Sequence, residues 1–275
     1  MTQTYQPQRY WEERLTKTFD LTGVGHRGLG VQYNRYLYKR RLETLTAGLG
    51  KTGCTLDGKS ILEIGCGTGF YTKYFTKQNI MKYTGIDITR ISVANLKKQY
   101  PSYNFICADI AQFGLSKLHE RFDIVFAADV LFHIVEERSF QNAVQNMIEL
   151  LKPDGLFIVS DVFPENTVST SAHVCLRSFS HYEQTLGVLQ VHRIHIEPIF
   201  AILQPPPVKT PTFWWNLYAN IWRIERRVVR LNIIDQTLPI ILEWLDRVFF
   251  CPRYGLVLPN SKWLFARKHE KNTWS

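Results

Sequence analysis

The sequence predicts an α/β protein, a mostly parallel sheet with helices on both faces, and three observations predict it. The stretch ILEIGCGTGF, Ile61 to Phe70, sets Gly65, Gly67 and Gly69 between an apolar strand-like run and a segment with helical spacing. A second strand-like run, MKYTGIDI, contains Asp87 twenty residues after Gly67. At 275 residues the chain can bury one large core of this kind, or a core with a modest appendage.

The bulk properties narrow the class. With 45% hydrophobic and 21% charged residues, the composition is that of a folded protein. No apolar run approaches the roughly 18 residues of a membrane span. The N-terminus, MTQTYQPQRYWEERL, has no basic and apolar leader, so a cytoplasmic protein is expected. The five cysteines, at 54, 66, 107, 175 and 251, form no C-x-x-C pair, which predicts free thiols and neither a zinc site nor a disulfide framework. Of the net charge of +9, residues 205 onward carry +6, with eleven Lys or Arg against five Asp or Glu.

Taken in order, YWEERL and YNRYLYKRR read as N-terminal helices joined by LTGVGHRGLGV, whose Gly23, Gly25, Gly28 and Gly30 predict a mobile loop. KSILEIG then reads as a buried strand, since Ile61, Leu62 and Ile64 are apolar. FYTKYFTKQ comes next with apolar or aromatic residues at 70, 71, 74 and 75, which is helical spacing. The glycines therefore join a strand to the start of a helix, whose free N–H groups favour a polar or anionic ligand. Asp87 stands at the spacing at which an acid meets a ribose in a nucleoside site. A nicotinamide or flavin site wants G-x-G-x-x-G, whereas this pattern is G-x-G-x-G with Phe70 at the sixth position, where it hinders a pyrophosphate. Glu63, just before the first glycine, suits a cationic amino-acid moiety.

These residues resemble the class I S-adenosylmethionine-dependent methyltransferases. LEIGCGTGF resembles the glycine-rich first motif of that superfamily and GIDI its acidic second motif. CADI (107–110), RFDIVFAADVLFHI (121–134) and LLKPDGLFIVSDVF (150–163) resemble the later motifs in order. The resemblance covers roughly residues 40–203 plus a final strand, SKWLFARK (261–268). It implies a Rossmann-like, seven-stranded sheet and S-adenosylmethionine as cofactor, with S-adenosylhomocysteine as product.

The cofactor residues it implies are specific. Asp87 would accept both ribose hydroxyls, and Glu63 with the backbone around Gly65 would hold the methionine portion. Cys66, Gly67 and Gly69 complete the turn. Ile88 and Ile110 would sandwich the adenine, and Asp109 would meet its amino group. Ala128 and Asp129, at the end of the fourth strand, close the cofactor set.

The methyl acceptor is read from the residues after strands four and five. No Asn/Asp-Pro-Pro-aromatic motif stands after strand four, and QPPP at 204–207 lies too far along. A catechol-type metal site could use Asp129 but would be incomplete, because Asp161 is followed by Val162; no metal is expected. His133, after strand four, is the candidate base, with His26 second and His173 and His181 as rivals. A packing or cofactor-shelf role for His133 is the other reading. The pair at 173 and 181 does not have metal-ligand spacing on a helix.

Four stretches are expected: a helical cap or lid at 1–50, a cofactor-binding core at 51–203, a helical insertion at 204–260 and a last strand with tail at 261–275. The glycine-rich segment around His26 and Arg27 would be the hinge of the lid. In the insertion, FWWNLYANIWRIERRVVRLNII and TLPIILEWLDRVFF read as helices. The first carries an apolar stripe through Phe213, Leu217 and Ile221 and a polar one through Asn216, Asn220, Arg223, Arg227 and Arg230. These helices would roof the acceptor pocket, pair two subunits or rest on a membrane surface. A nucleic-acid role is not expected, because the arginines are separated from the aromatic residues. The expected protein is a monomer or homodimer that methylates a small-molecule, natural-product or sugar acceptor, at oxygen first. The alternatives are a small-metabolite N-methyltransferase, a methyltransferase of a lipid-linked glycan and a cofactor-binding protein without catalysis.

Overall fold

The computed structural model describes residues 5–26, 30–112, 114, 118, 120–202, 216, 220, 223 and 237–268. The N-terminal helices are α1 (Pro7–Lys17), α2 (Leu21–Val24) and α3 (Gly30–Lys51). The core continues through β1 (Ser60–Ile64), α4 (Phe70–Phe75), β2 (Lys82–Asp87), α5 (Arg90–Gln99), β3 (Asn104–Cys107) and β4 (Phe122–Ala128). After α6 (Glu137–Glu149) and β5 (Leu151–Val162) come a hairpin of β6 (Val168–Ser171) and β7 (Val174–Leu176), then α7 (Phe179–Val188) and β8 (Val191–Pro198). In the insertion, α8 (Thr237–Leu245) runs through a π-helical turn, Asp246–Phe250, into α9 (Cys251–Tyr254), and β9 (Ser261–Lys268) ends the sheet.

Seven strands form one sheet in the order β3-β2-β1-β4-β5-β9-β8. β9 runs antiparallel to both its neighbours and the other neighbouring pairs are parallel, so the expected seven-stranded, mostly parallel architecture is the one observed. The order reverses between β1 and β4. A crevice opens at such a reversal, outside the carboxyl ends of the strands.

Alternation along the strands feeds two cores. Ile61, Ile124, Phe126, Ile158 and Phe265 face one side with Leu37 and Leu45 of α3 and Phe75 of α4. Leu62, Ile64, Val125, Phe157 and Leu264 face the other with Phe140, Val144 and Met147 of α6. On α6 the buried residues are Phe140, Ala143, Val144, Met147 and Ile148, the spacing of a single helix face. Its N-cap, Glu136, accepts from the N–H groups of Arg138 and Ser139. Trp263, buried on β9, donates its indole N–H to the carbonyl of Arg41 and the hydroxyl of Thr44, which pins α3 to the sheet.

Three features differ from the sequence reading. Gly23 and Gly25 do not form a mobile loop: Asp20 caps α2, and Arg14 donates to the carbonyls of Gly23 and Gly25. A Cβ on Gly23 would lie 2.0 Å from the Thr18 oxygen, and one on Gly25 would lie 2.1 Å from Asn34 Oδ1. These glycines serve close packing. Second, the β6–β7 hairpin was not expected, because β6 is short, polar and exposed and β7 is only three residues long. Third, the run VLQVHRIHIEPIFAIL (188–203), which reads as one strand, is strand only in β8, which ends at Pro198. Ile199 to Ile202 continue as buried irregular chain, with Asp246 accepting from the N–H groups of Ala201 and Ile202. Most of the expected helix at 213–234 lies outside the described residues; Asn216, Asn220 and Arg223 are described and exposed. Among the described residues no helix is long and apolar enough to cross a membrane.

The N-terminal helices are tied to the core by charge as well as packing. Glu12 of α1 accepts from the first two N–H groups of α5, those of Arg90 and Ile91, at 2.8 and 3.1 Å. A carboxylate at a helix N-terminus satisfies free donors and complements the helix dipole.

Candidate active site

At the sheet reversal, one cavity gathers the glycine turn, the ends of β2, β3 and β4, and the N-terminal helices. The turn has the shape that its glycines permit: Gly65, Gly67 and Gly69 lie at φ 71, 49 and 82°, a region that other residues adopt at a cost. A Cβ on Gly65 would meet a Val130 methyl at 2.4 Å, and one on Gly69 a Leu96 methyl at 2.5 Å. Gly65 and Gly67 line the cavity, whereas Gly69 serves the packing of α4 on α5 and does not line it.

Asp87 closes the turn from within. Its Oδ2 accepts from the N–H of Gly67 at 2.7 Å, and its Oδ1 accepts from the N–H and hydroxyl of Thr89 at 2.9 and 2.7 Å. A carboxylate offers about four acceptor positions, so these bonds leave room for one ribose hydroxyl and not for the expected two. Burial pushes the Asp87 carboxyl above its ordinary range, against the pull of those bonds. Cys66, Ile88, Asp109, Ile110, Ala128 and Asp129 also line the cavity. Asp109 caps the helical turn at Ile110–Gln112 by accepting from the N–H of Ala111 at 2.9 Å. Burial holds the Cys66 thiol well above its ordinary pKa, so it is an inert neighbour of the turn.

Glu63 lies elsewhere. It is buried behind the turn, outside the cavity lining, and its Oε2 accepts from the hydroxyls of Tyr83 at 2.5 Å and Thr72 at 3.2 Å. Burial pushes its carboxyl up to about 7. β1 is buried along its whole length, so Glu63, two positions before Gly65, points into a core and not at a ligand.

Asp129 lines the cavity and is paired with Arg41 behind it. Asp129 has the uncommon φ of 56°. Its Oδ2 meets Arg41 Nη2 at 2.8 Å, and its Oδ1 accepts from Ser160 Oγ at 3.0 Å. Arg41 is buried, and its Nη1 has no hydrogen-bond partner among the described residues. Burial works against its charge, but the Asp129 carboxylate beside it outweighs that and raises its pKa. Arg41 escaped sequence reading. The signal was an arginine on the buried stripe of α3, between Leu37 and Leu45.

His133 sits in a helical turn, Leu131–His133, and lines the cavity. Its Nδ1 lies 2.8 Å from the carbonyl of His173 in the β6–β7 hairpin. A carbonyl only accepts, so Nδ1 carries the proton and Nε2 keeps a lone pair. Burial holds the imidazole pKa down to about 4, so the ring is neutral at physiological pH. His26 is half-buried, with its pKa lowered to about 4 by desolvation, but it does not line the cavity; its main chain bonds Asn34. Of the rivals, His181 pairs with Glu137 on the α6–α7 side, and His173 acts through its carbonyl.

The described part of the insertion does not roof the cavity. The cover comes from the N-terminal segment, with Tyr5, Pro7, Trp11, Leu15 and Val24, joined by Tyr38 of α3. Asp161, the acid considered for a metal, is buried, accepts from the Tyr182 hydroxyl at 2.5 Å and lies outside the lining.

Comparison with known proteins fits this geometry. Residues 61–155 match a family described as a methyltransferase domain. Nodulation protein S of Sinorhizobium fredii is 28% identical over 108 residues, which is 38% of this chain and 48% of that protein. A ubiquinone biosynthesis O-methyltransferase of Coxiella burnetii is 32% identical over 112 residues, 39% of this chain and 45% of that protein. The matched stretches thus span about half the length of these curated relatives. The crystal structure of the N-methyltransferase NodS from Bradyrhizobium japonicum, in complex with S-adenosylhomocysteine, superposes with a TM-score of 0.56 at 13% identity, over 97% of this chain and 100% of that one. That likeness shows the fold, the one shared by class I methyltransferases.

Proposed function

We propose that this chain is an S-adenosylmethionine-dependent methyltransferase acting on a small-molecule acceptor at oxygen. The observation that carries the proposal is the joining of three features at one cavity: a left-handed glycine turn, Asp87 beneath it, and Asp129, which Arg41 holds from behind. The residues present fit the cofactor. Gly67 leaves main chain open to it, and Asp87 keeps one acceptor position for a ribose hydroxyl. Ile88 and Ile110 supply apolar surface for an adenine, with Asp109 beside them. Asp129, held in place by Arg41 behind it, is an anion suited to the ammonium of a methionine end, the role that Glu63 was expected to share.

When bound, S-adenosylmethionine supplies an electrophilic methyl group on a sulfonium sulfur. The protein's own part is alignment, exclusion of water and removal of a proton. Trp11, Leu15 and Val24 cover the cavity with apolar surface, and Glu12 and Arg14 hold that cover in place. Nε2 of His133 accepts the proton that the acceptor oxygen loses. The fixed tautomer leaves this nitrogen as a base without a competing donor role.

Calorimetric titration with S-adenosylhomocysteine, followed by incubation with labelled S-adenosylmethionine and candidate acceptors, tests the proposal. Absence of any binding would sink it. A peripheral membrane contact would form on the exposed Ile240, Ile241, Trp244, Val248 and Phe249 of the insertion, and co-sedimentation with anionic vesicles is its test.

A further inference from the structure

Resting on the methyltransferase reading, we infer that the acceptor is a planar hydroxylated aromatic molecule, bound against Trp11 with its hydroxyl on Nε2 of His133. Beyond the turn and the strand-end acids, the cavity is lined by Tyr5, Trp11, Tyr38 and His133 with Leu15 and Ile134. The rings continue behind the lining as one contact series. Trp11 meets His133 edge-on at 4.8 Å between centroids, His133 stacks on His173 at 5.8 Å and 9°, and Tyr10 stacks on His173 at 4.8 Å. A flat aromatic ligand extends such a series with offset or edge contacts, which gain more than area alone provides.

Charge points the same way. Among the described residues that line the cavity there is no Lys or Arg, so a phosphorylated or carboxylated acceptor would be buried without a counter-charge. Arg14, whose guanidinium lies 5.0 Å from the Trp11 ring, is committed to the carbonyls of Gly23 and Gly25. The polar atoms of this wall are ring tips set around ring faces, among them the hydroxyls of Tyr5 and Tyr71, unpartnered among the described residues. A sugar, with a hydroxyl on almost every carbon, would leave more of its own groups unmet than a flat aromatic body with one hydroxyl. One hydroxyl on a flat apolar body matches what the wall offers.

The tautomer of His133 adds direction. With Nδ1 donating to the His173 carbonyl, Nε2 can only accept, so the acceptor must present a hydrogen-bond donor, which the hydroxyl supplies. As the oxygen lone pair forms the new C–O bond, the C–S bonding pair stays on sulfur and the O–H proton passes to Nε2. The positive charge thereby moves from sulfonium to imidazolium, and nothing else is consumed. The β6–β7 hairpin has a function in this scheme: the main chain of His173 positions the base.

The test pairs binding with turnover, using 2-naphthol, its saturated analogue decahydro-2-naphthol, 2-naphthylamine and glucosamine, each in the presence of S-adenosylhomocysteine. Quenching of tryptophan fluorescence should show 2-naphthol binding at least tenfold more tightly than decahydro-2-naphthol, with no saturable binding of glucosamine. Trp11→Ala should lose about tenfold in that affinity while affinity for S-adenosylhomocysteine stays within a factor of two. Trp11→Phe should keep most of it, which separates the loss of a ring from the loss of the fold. His133→Gln should bind 2-naphthol within about threefold of wild type, yet lose the transfer from labelled S-adenosylmethionine. Equal binding of the saturated analogue, or methylation of glucosamine or the amine in preference to 2-naphthol, overturns the acceptor class and leaves methyl transfer standing. Binding of S-adenosylhomocysteine with no binding of 2-naphthol does the same. Failure of S-adenosylhomocysteine to bind overturns the methyltransferase reading itself.

Discussion

One side of the cavity is built from the turn at 65–69 and from Asp87 and Asp109 at the strand ends; the other is built from Trp11, Tyr38 and His133. On the first side the parts are joined by main-chain hydrogen bonds over short sequence distances. Gly65 donates to the Ile86 carbonyl, and Gly67 and Thr89 donate to Asp87. On the second side the parts come from α1, α3 and the turn after β4: Trp11 meets His133 edge-on, and Tyr38 packs on Phe70 of α4. The difference teaches that the floor, proposed for the cofactor, is a local device of one βαβ unit, while the wall, proposed for the acceptor, is assembled by the fold.

The strongest test of that contrast is His133→Gln, which removes the base from the wall and leaves the floor intact. A general base contributes about 10²- to 10⁴-fold, so kcat should fall by that range with little change in affinity for S-adenosylhomocysteine. In the wild type the acid limb of the rate profile should lie near pH 4, because burial lowers the His133 pKa to about 4. The neutral ring is the active form, so activity is lost as pH falls through that value. A limb near 6.5 would mean that the ring is solvated and the wall open.

Next is Asp87→Ala, which attacks the floor. It removes the ribose acceptor and also the partner of Gly67 and Thr89, so affinity should fall by a hundredfold or more, about 3 kcal/mol. Unlike a purely surface ligand residue, it should also lower the melting temperature, since three donors lose their acceptor. Calorimetry and thermal melts with an unchanged melting point would show that the turn holds its shape without Asp87.

Glu63 probes the core beneath the floor. Its carboxyl is raised from 4.5 to about 7 by burial, so between those values the folded state keeps a proton that the unfolded chain has released. Stability should therefore fall as pH rises through this window, by up to about 3 kcal/mol. Glu63→Gln should flatten the dependence, as read by denaturant unfolding at pH 5 and pH 8. The smallest effect is expected at the seam between the two sides: Glu12→Ala leaves the first N–H groups of α5 without their cap, at about 1 kcal/mol. It should loosen α1, raise KM for the acceptor several-fold and leave affinity for S-adenosylhomocysteine nearly unchanged.

Much of the floor was legible because its residues obey local rules. Three glycines at alternate positions announce a left-handed turn, and an acid twenty residues after Gly67 announces the next strand end. Glu63 misled for a physical reason: a residue beside the turn looks like a ligand group until the strand is known to be buried on both faces. Arg41 and Trp11 were not legible as site residues, because helical spacing tells which face is buried and not which cavity that face meets. The glycines at 23 and 25 looked like flexibility, and only the approach of Thr18 and Asn34 reveals tight packing.

Read alone, the sequence determined the sheet, the glycine turn and the acid at Asp87, since period, spacing and backbone sterics act within a few residues of one another. The tertiary structure decided that the N-terminal helices, and not the described part of the insertion, cover the cavity. It also decided that Arg41 pairs with Asp129, and that a hairpin carbonyl sets the tautomer of His133. Those outcomes depend on contacts between segments tens to hundreds of residues apart, whose formation comes from packing of the whole core and leaves no mark on any one stretch of chain.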